Sequence, residues 1–150
     1  MKKWIFLLLG VSLAVLPILH AQPVRHKILS TLEISEEDEC VVIHASFHHP
    51  VRYIEQFSYE SGDEVRTHVL PLLVSPVDNE LFFSRESIRP PKDNPAGLVE
   101  VMYEGDMEGG PFLTLLFKQD MLFTVKQEED RSLEVLVSGP DTKSPCLTSI

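Results

Sequence analysis

The stretch from Pro111 to Gly139, PFLTLLFKQDMLFTVKQEEDRSLEVLVSG, sets the strictest limit on what this chain can fold into. Leu113, Leu115 and Phe117 share one parity, Phe123 and Val125 continue it, and Leu133, Val135 and Val137 repeat it after a polar break. Successive β side chains point to opposite faces, so this alternation sends one row into a core and the other toward solvent. The spacing predicts three antiparallel strands. The same pattern occurs upstream in Val41, Ile43, Ala45 and Phe47, in Val65, Thr67 and Val69, and in Val99, Val101 and Tyr103. The expected class is all-β with little helix.

Breaks between these runs follow the turn residues. Pro50 interrupts the chain before Val51 to Ile54, Ser61-Gly62-Asp63 reads as a turn, and Pro71 ends the strand that follows. Ile28, Leu29, Leu32 and Ile34 fit neither period, which leaves a first strand or a frayed segment open. The run Ser35 to Glu39 reads as a solvated turn; it lacks the alternating ligands and central glycine of a calcium loop. Residues 74–97 carry Pro76, Pro90, Pro91 and Pro95, which preclude a regular central strand. They read as a crossover whose Phe82 or Phe83 packs over an open end of the core. Glu104 to Gly110 reads as a turn.

The two halves repeat. Ile34, Phe47, Pro50, Tyr53, Val65 and Val69 fall opposite Tyr103, Phe117, Asp120, Phe123, Leu133 and Val137, at offsets of 68 to 70 residues. Neither half can bury its apolar face alone. The expected architecture is a two-sheet antiparallel β-sandwich with an internal pseudo-two-fold repeat. Its half-repeats are about 28–73 and 98–139 within a domain of 22–139, joined by 74–97 and followed by a flexible tail, 140–150.

Residues 1–21 have the layout of a secretory signal peptide: Lys2 and Lys3, an apolar run from Trp4 to Leu19, and Ala21 before Gln22. Leu19 is larger than the usual small residue three places before a cut, so an uncleaved inner-membrane anchor stays open. The 13 basic residues, two of them in this leader, face 23 acidic ones, and the formal net charge is −10. Nucleic acid is then an unsuitable partner, because its binding depends on Lys and Arg neutralising phosphates. Direct binding to anionic lipid is disfavoured by the same sign. Export permits a disulfide between Cys40 and Cys146, while a half-buried Cys40 beside a free Cys146 is the alternative.

No nucleophile elbow, phosphate loop, dinucleotide fingerprint or His-Glu-x-x-His occurs, so no catalytic residue is assigned and no cofactor is expected. His44 and His68 lie on separate strands and could share a metal ion if those strands are neighbours. The ordinary reading is a set of half-buried sheet histidines, and no metal is assigned. Arg52 and Tyr53 at the Pro50 corner, with Tyr59 and Arg66, form the best polar and aromatic group for partner binding, since Arg and Tyr are over-represented at hot spots.

The segment VVIHASFHHPVRYIEQFSYESGDEVRTHVLPL and its echo FLTLLFKQDMLFTVKQEEDRSLEVLV resemble the AMIN domain and AMIN-like modules of Gram-negative envelope proteins. The Phe-x-x-Pro-x-x-Tyr corner at 47–53 and the Asp-Arg-Ser-Leu turn at 130–133 carry the likeness, over roughly Val41 to Ser138. The resemblance implies a symmetric two-sheet sandwich, a periplasmic location, and peptidoglycan or envelope-protein binding instead of catalysis. An accessory assembly factor of a secretion or pilus machine, and a metal-binding protein using His44 and His68, are the alternatives. Open strand edges permit a homodimer.

Overall fold

The computed structural model describes residues 27–37, 40–57, 61–73 and 79–139. The leader at 1–21, the tail at 140–150, Tyr59 and Cys146 lie outside them. Eight strands and one short helix occur among the described residues: β1 (Leu29–Glu37), β2 (Cys40–Phe47), β3 (Val51–Phe57), β4 (Ser61–Pro71), α1 (Asn79–Phe82), β5 (Arg85–Ile88), β6 (Leu98–Glu104), β7 (Phe112–Glu129) and β8 (Ser132–Ser138). Every pairing is antiparallel. The chain is all-β. No helix among the described residues is long and apolar enough to cross a membrane.

The strand order is β1-β2-β8-β7-β4-β3, with β6 pairing to β7 and β5 to β6. One element makes this order possible. β7 runs for 18 residues where the sequence suggests two strands. Its first half pairs with β6 through Tyr103 and Leu113 and with β4 through Val65 and Leu115; its second half pairs with β8 through Phe123 and Val137. Lys118, Gln119 and Asp120 are exposed where the partners change. The inward parity of Leu113, Leu115 and Phe117 resumes in Met121, Phe123 and Val125 after the exposed Gln119, so the strand changes partners without changing face.

Most of the predicted inward row is buried. Val65, Val69, Val101, Leu113, Leu115, Leu133, Val135 and Val137 are buried in one core with Ile43, Phe47 and Tyr103. Burial of each such side chain favours folding by about 1.5–3 kcal/mol before chain entropy is counted. Ile28 and Leu29, ambiguous by period, join the same core as β1 begins.

Three local expectations are corrected. Ser35 to Glu37 belong to β1, because they pair with Val42, Val41 and Cys40, so the acidic run enters the ladder before any turn. Val99 is 45 % exposed and does not share a face with Val101; a register shift between Leu98 and Glu100 turns it out and buries Leu98 instead. In the proline-rich connection Ala96 is in the core and Leu81 and Ile88 pack against it, whereas Phe83 is 59 % exposed. That connection also holds the edge strand β5, whose only strand partner among the described residues is β6.

Two polar side chains join strands that share no ladder. Glu86 of β5 accepts the backbone N–H groups of Ile28 and Leu29 at 2.8 and 2.9 Å, which fixes the start of β1. Gln127 of β7 accepts the Tyr53 N–H at 3.0 Å and donates to the Val51 carbonyl at 2.8 Å, which holds the first half of β3. The turn at Asp130 and Arg131 adds to this: its carbonyls accept Val51 N–H at 2.7 Å and Phe47 N–H at 2.9 Å, and Arg131 donates to the His48 carbonyl at 3.1 Å. The Pro50 corner and the turn at 130–133 are thus in direct contact.

Candidate functional site

The candidate recognition residues are placed by β3 and β4. Arg52 lies opposite Leu70, Tyr53 opposite Val69, and Phe57 opposite Arg66. Neighbouring strand residues face opposite ways, so Arg52 is exposed while Tyr53 packs against the core. The two do not form one surface. Burial, and after it the charge of Glu55, raises the Tyr53 phenol above its ordinary value of 10.0, as expected for a ring that faces inward.

The surface that does form sits one step along the same strands. Arg66 and His68 share the outward parity of β4, and Phe112 of β7 lies opposite His68. Phe57 meets Phe112 edge to face with centroids 5.6 Å apart, and His68 tilts over Phe112 at 5.5 Å. The Arg66 guanidinium stands 5.8 Å from the Phe112 ring, and its Nη2 pairs with Glu64 at 2.8 Å. A cation over an aromatic face at a partly exposed site contributes about 0.5–1 kcal/mol. Phe112 is buried beneath these groups, whereas Phe57 is 42 % exposed at the rim.

Of the group expected from sequence, Arg66 is on this surface and Arg52 is exposed further along β3, opposite Leu70; Phe57 and Phe112 are not in that group. The signal for Phe112 was available: it is apolar at an outward parity, one residue before the inward run begins. Phe57 carried no such sign, because a register shift between Tyr53 and Glu55 moves the parity of β3 at Ile54. Ile54 is itself 42 % exposed. β3 ends the strand order, and Gln127 covers its first half, so the Ile54 to Phe57 half is the outer rim of this surface.

His44 and His68 are not neighbours. His44 is on β2 and His68 on β4, with β8 and β7 between them in the order, three strand spacings of roughly 4.8 Å each. They also align with opposite ends of β7, His68 with Phe112 and His44, through Glu134, with Lys126, so they do not share a site. His44 instead meets Glu128 of β7, Nδ1 to Oε2 at 3.1 Å, and stands opposite Glu134 of β8. Cys40 is buried and disulfide-bonded, and Cys146 lies outside the described residues.

The fold and this surface define an antiparallel all-β domain with an aromatic and basic rim on an edge strand. No family model, no curated protein and no solved structure matches the chain.

Proposed function

We propose that this chain is a non-catalytic, exported binding module that recognises a protein of the cell envelope through the rim formed by Phe57, Ile54, Arg66 and Arg52. The observation that carries this reading is the exposure of Phe57 and Ile54 on a terminal strand beside two arginines, in a chain whose net charge is −10. An aromatic anchor with arginine neighbours is the usual composition of an interface hot spot, and an extended peptide laid on a strand edge is a recurring mode for small β domains. Gln127 and the register shift at Ile54 protect the other half of β3 from indiscriminate pairing.

The same reading takes residues 1–21 as a signal peptide and the periplasm as the compartment, in keeping with the AMIN-like sequence pattern. It also takes the domain as a two-sheet sandwich of two half-repeats. Corresponding registers support this: the pair Ile34 with Ile43 corresponds to Tyr103 with Leu113, Ala45 with Leu133 to Leu115 with Val65, and Tyr53 with Val69 to Phe123 with Val137. One layer would be β1, β2, β8 and the second half of β7; the other would be β6, the first half of β7, β4 and β3.

The test is a photo-cross-linking pull-down from intact envelopes, with the cross-linker at Ile54, beside sedimentation with purified peptidoglycan. Enrichment of one protein that is lost in Phe57→Ala and Arg66→Ala supports the reading. Sedimentation with peptidoglycan lost in the same variants would replace the protein partner by the cell wall, and enrichment unaffected by either variant would overturn the proposed surface. N-terminal sequencing of the exported chain checks cleavage after Ala21.

A further inference from the structure

Away from the Phe57 rim, three strands bring a histidine and two glutamates to one point. His44 comes from the middle of β2, Glu134 from the directly opposed position of β8, and Glu128 from the end of β7. One ligand atom from each lies within 4.8 Å of the other two. The shortest separation, His44 Nδ1 to Glu128 Oε2, is 3.1 Å. A shallow groove of about 300 Å³ opens beside His44 and Glu128 and is also lined by Glu33, Ser46, Glu129 and Ser132. Glu33 is the residue opposite His44 on its other side, in β1.

The cation balance at this point is uneven. His44 is accounted for by its contact with Glu128, but Glu134 has no hydrogen-bond or ion-pair partner among the described residues, although Lys126 faces it across the ladder. Two carboxylates therefore converge on one imidazole, with Glu33 close by and no lysine or arginine among the described residues paired to any of them.

We propose that His44, Glu128 and Glu134 bind a divalent transition-metal ion of the zinc class, with water completing its shell. Three protein ligands and an open position are a common arrangement for zinc, with His nitrogen and carboxylate oxygen at about 2.0–2.2 Å from the metal. Ligand atoms at that radius around a tetrahedral centre stand about 3.3 Å apart. The His44 to Glu128 separation already matches this, and rotation of the Glu134 carboxylate supplies the rest. Two anionic ligands neutralise a divalent ion, and the imidazole selects zinc, copper or nickel over calcium and magnesium. His44 and Glu134 are at directly opposed positions, so their backbone spacing is set by the ladder, and Glu128 reaches them from the register shift between Gln127 and Glu129. The site uses different strands and residues from the Phe57 rim and stands or falls independently of that reading.

The test is calorimetric titration of chelator-treated full-length exported protein with Zn²⁺, with Ca²⁺ and Mg²⁺ as comparison ions and native mass spectrometry for stoichiometry. The expected result is one zinc ion per chain, with affinity weakened at least about tenfold in His44→Ala and in Glu134→Gln. His68→Ala should bind as the parent does. Circular dichroism of each variant confirms that the strands persist, and Glu128→Gln supplies a second readout should His44→Ala fail to fold. Absence of stoichiometric binding, equal affinity in the parent and both glutamate variants, or tighter binding of Ca²⁺ than of Zn²⁺ would each overturn the proposal.

Discussion

The Tyr103 hydroxyl donates to the Phe82 carbonyl at 2.7 Å from a side chain with no exposed surface, tying β6 to the end of α1. This bond converts a buried phenol, otherwise an unfavourable polar group in an apolar core, into a clamp on the proline-rich connection. Burial, followed by the charge of Glu86, raises the Tyr103 pKa well above its ordinary 10.0. The unfolded chain therefore releases this proton near pH 10 while the folded chain keeps it. Above that pH the unfolded state binds fewer protons, and stability falls as pH rises. Tyr53, shifted in the same direction, adds to the fall. Urea midpoints measured from pH 8 to 11 should decline beyond about pH 10. Tyr103→Phe should flatten that decline and cost roughly 1–3 kcal/mol at pH 7, since the Phe82 carbonyl loses its donor.

Gly105 lies against the same carbonyl. A Cβ at this position would collide with the Phe82 carbonyl oxygen, and the Gly105 N–H donates to Ser84 at 2.9 Å, so the approach is fixed from both sides. Gly105→Ala should destabilise the fold by about 1–3 kcal/mol, the usual range for overpacking. Thermal melts of Gly105→Ala beside Gly97→Ala separate the collision from backbone strain: Gly97 has a φ of 62° and open space around its Cβ position, so any loss there is conformational.

Glu86→Gln keeps the shape of the side chain but turns one acceptor into a donor. The carboxylate uses one oxygen for Ile28 N–H and the other for Leu29 N–H, while the Ser84 hydroxyl donates to the first. One of these backbone groups loses its acceptor in the variant, at a cost of about 1–3 kcal/mol if it stays buried. Hydrogen exchange should accelerate at Ile28 and Leu29 while Leu115 and Val135, deep in the core, exchange as before. Uniform acceleration would mean that Glu86 supports the whole fold.

Gln127→Ala should uncover the first half of β3. The amide now occupies the Tyr53 N–H and the Val51 carbonyl, and its removal exposes a longer stretch of edge. Expected outcomes are a stability loss of about 1 kcal/mol and a rise in self-association on size-exclusion chromatography. A variant that stays as monodisperse as the parent would show that the register shift at Ile54 alone protects this edge.

Much of the fold was legible in the residues. Val41 to Phe47, Val65 to Val69 and Leu133 to Val137 bury the side chains that their parity assigns to the core, with Val41 only half-buried, because a period of two is a local property of the strand. The site was less legible. Arg52 and Tyr53 are adjacent in sequence, yet alternation puts them on opposite faces. Phe57 was missed because a single extra residue at Ile54 shifts the register, and composition does not announce a bulge.

The sequence by itself determined where most of the strands lie, which face of most of them is apolar, and that the chain is acidic and all-β, but not β5 or the continuity of β7. Tertiary structure decided who stands beside whom. His44 and His68, 24 positions apart, are separated by two strands, while His44 and Glu134, 90 positions apart, are direct neighbours. The physical reason is that a strand's hydrogen-bonding edges are alike along the whole chain. Its partner is chosen only when the apolar faces of β2, β8, β7 and β4 close on one core.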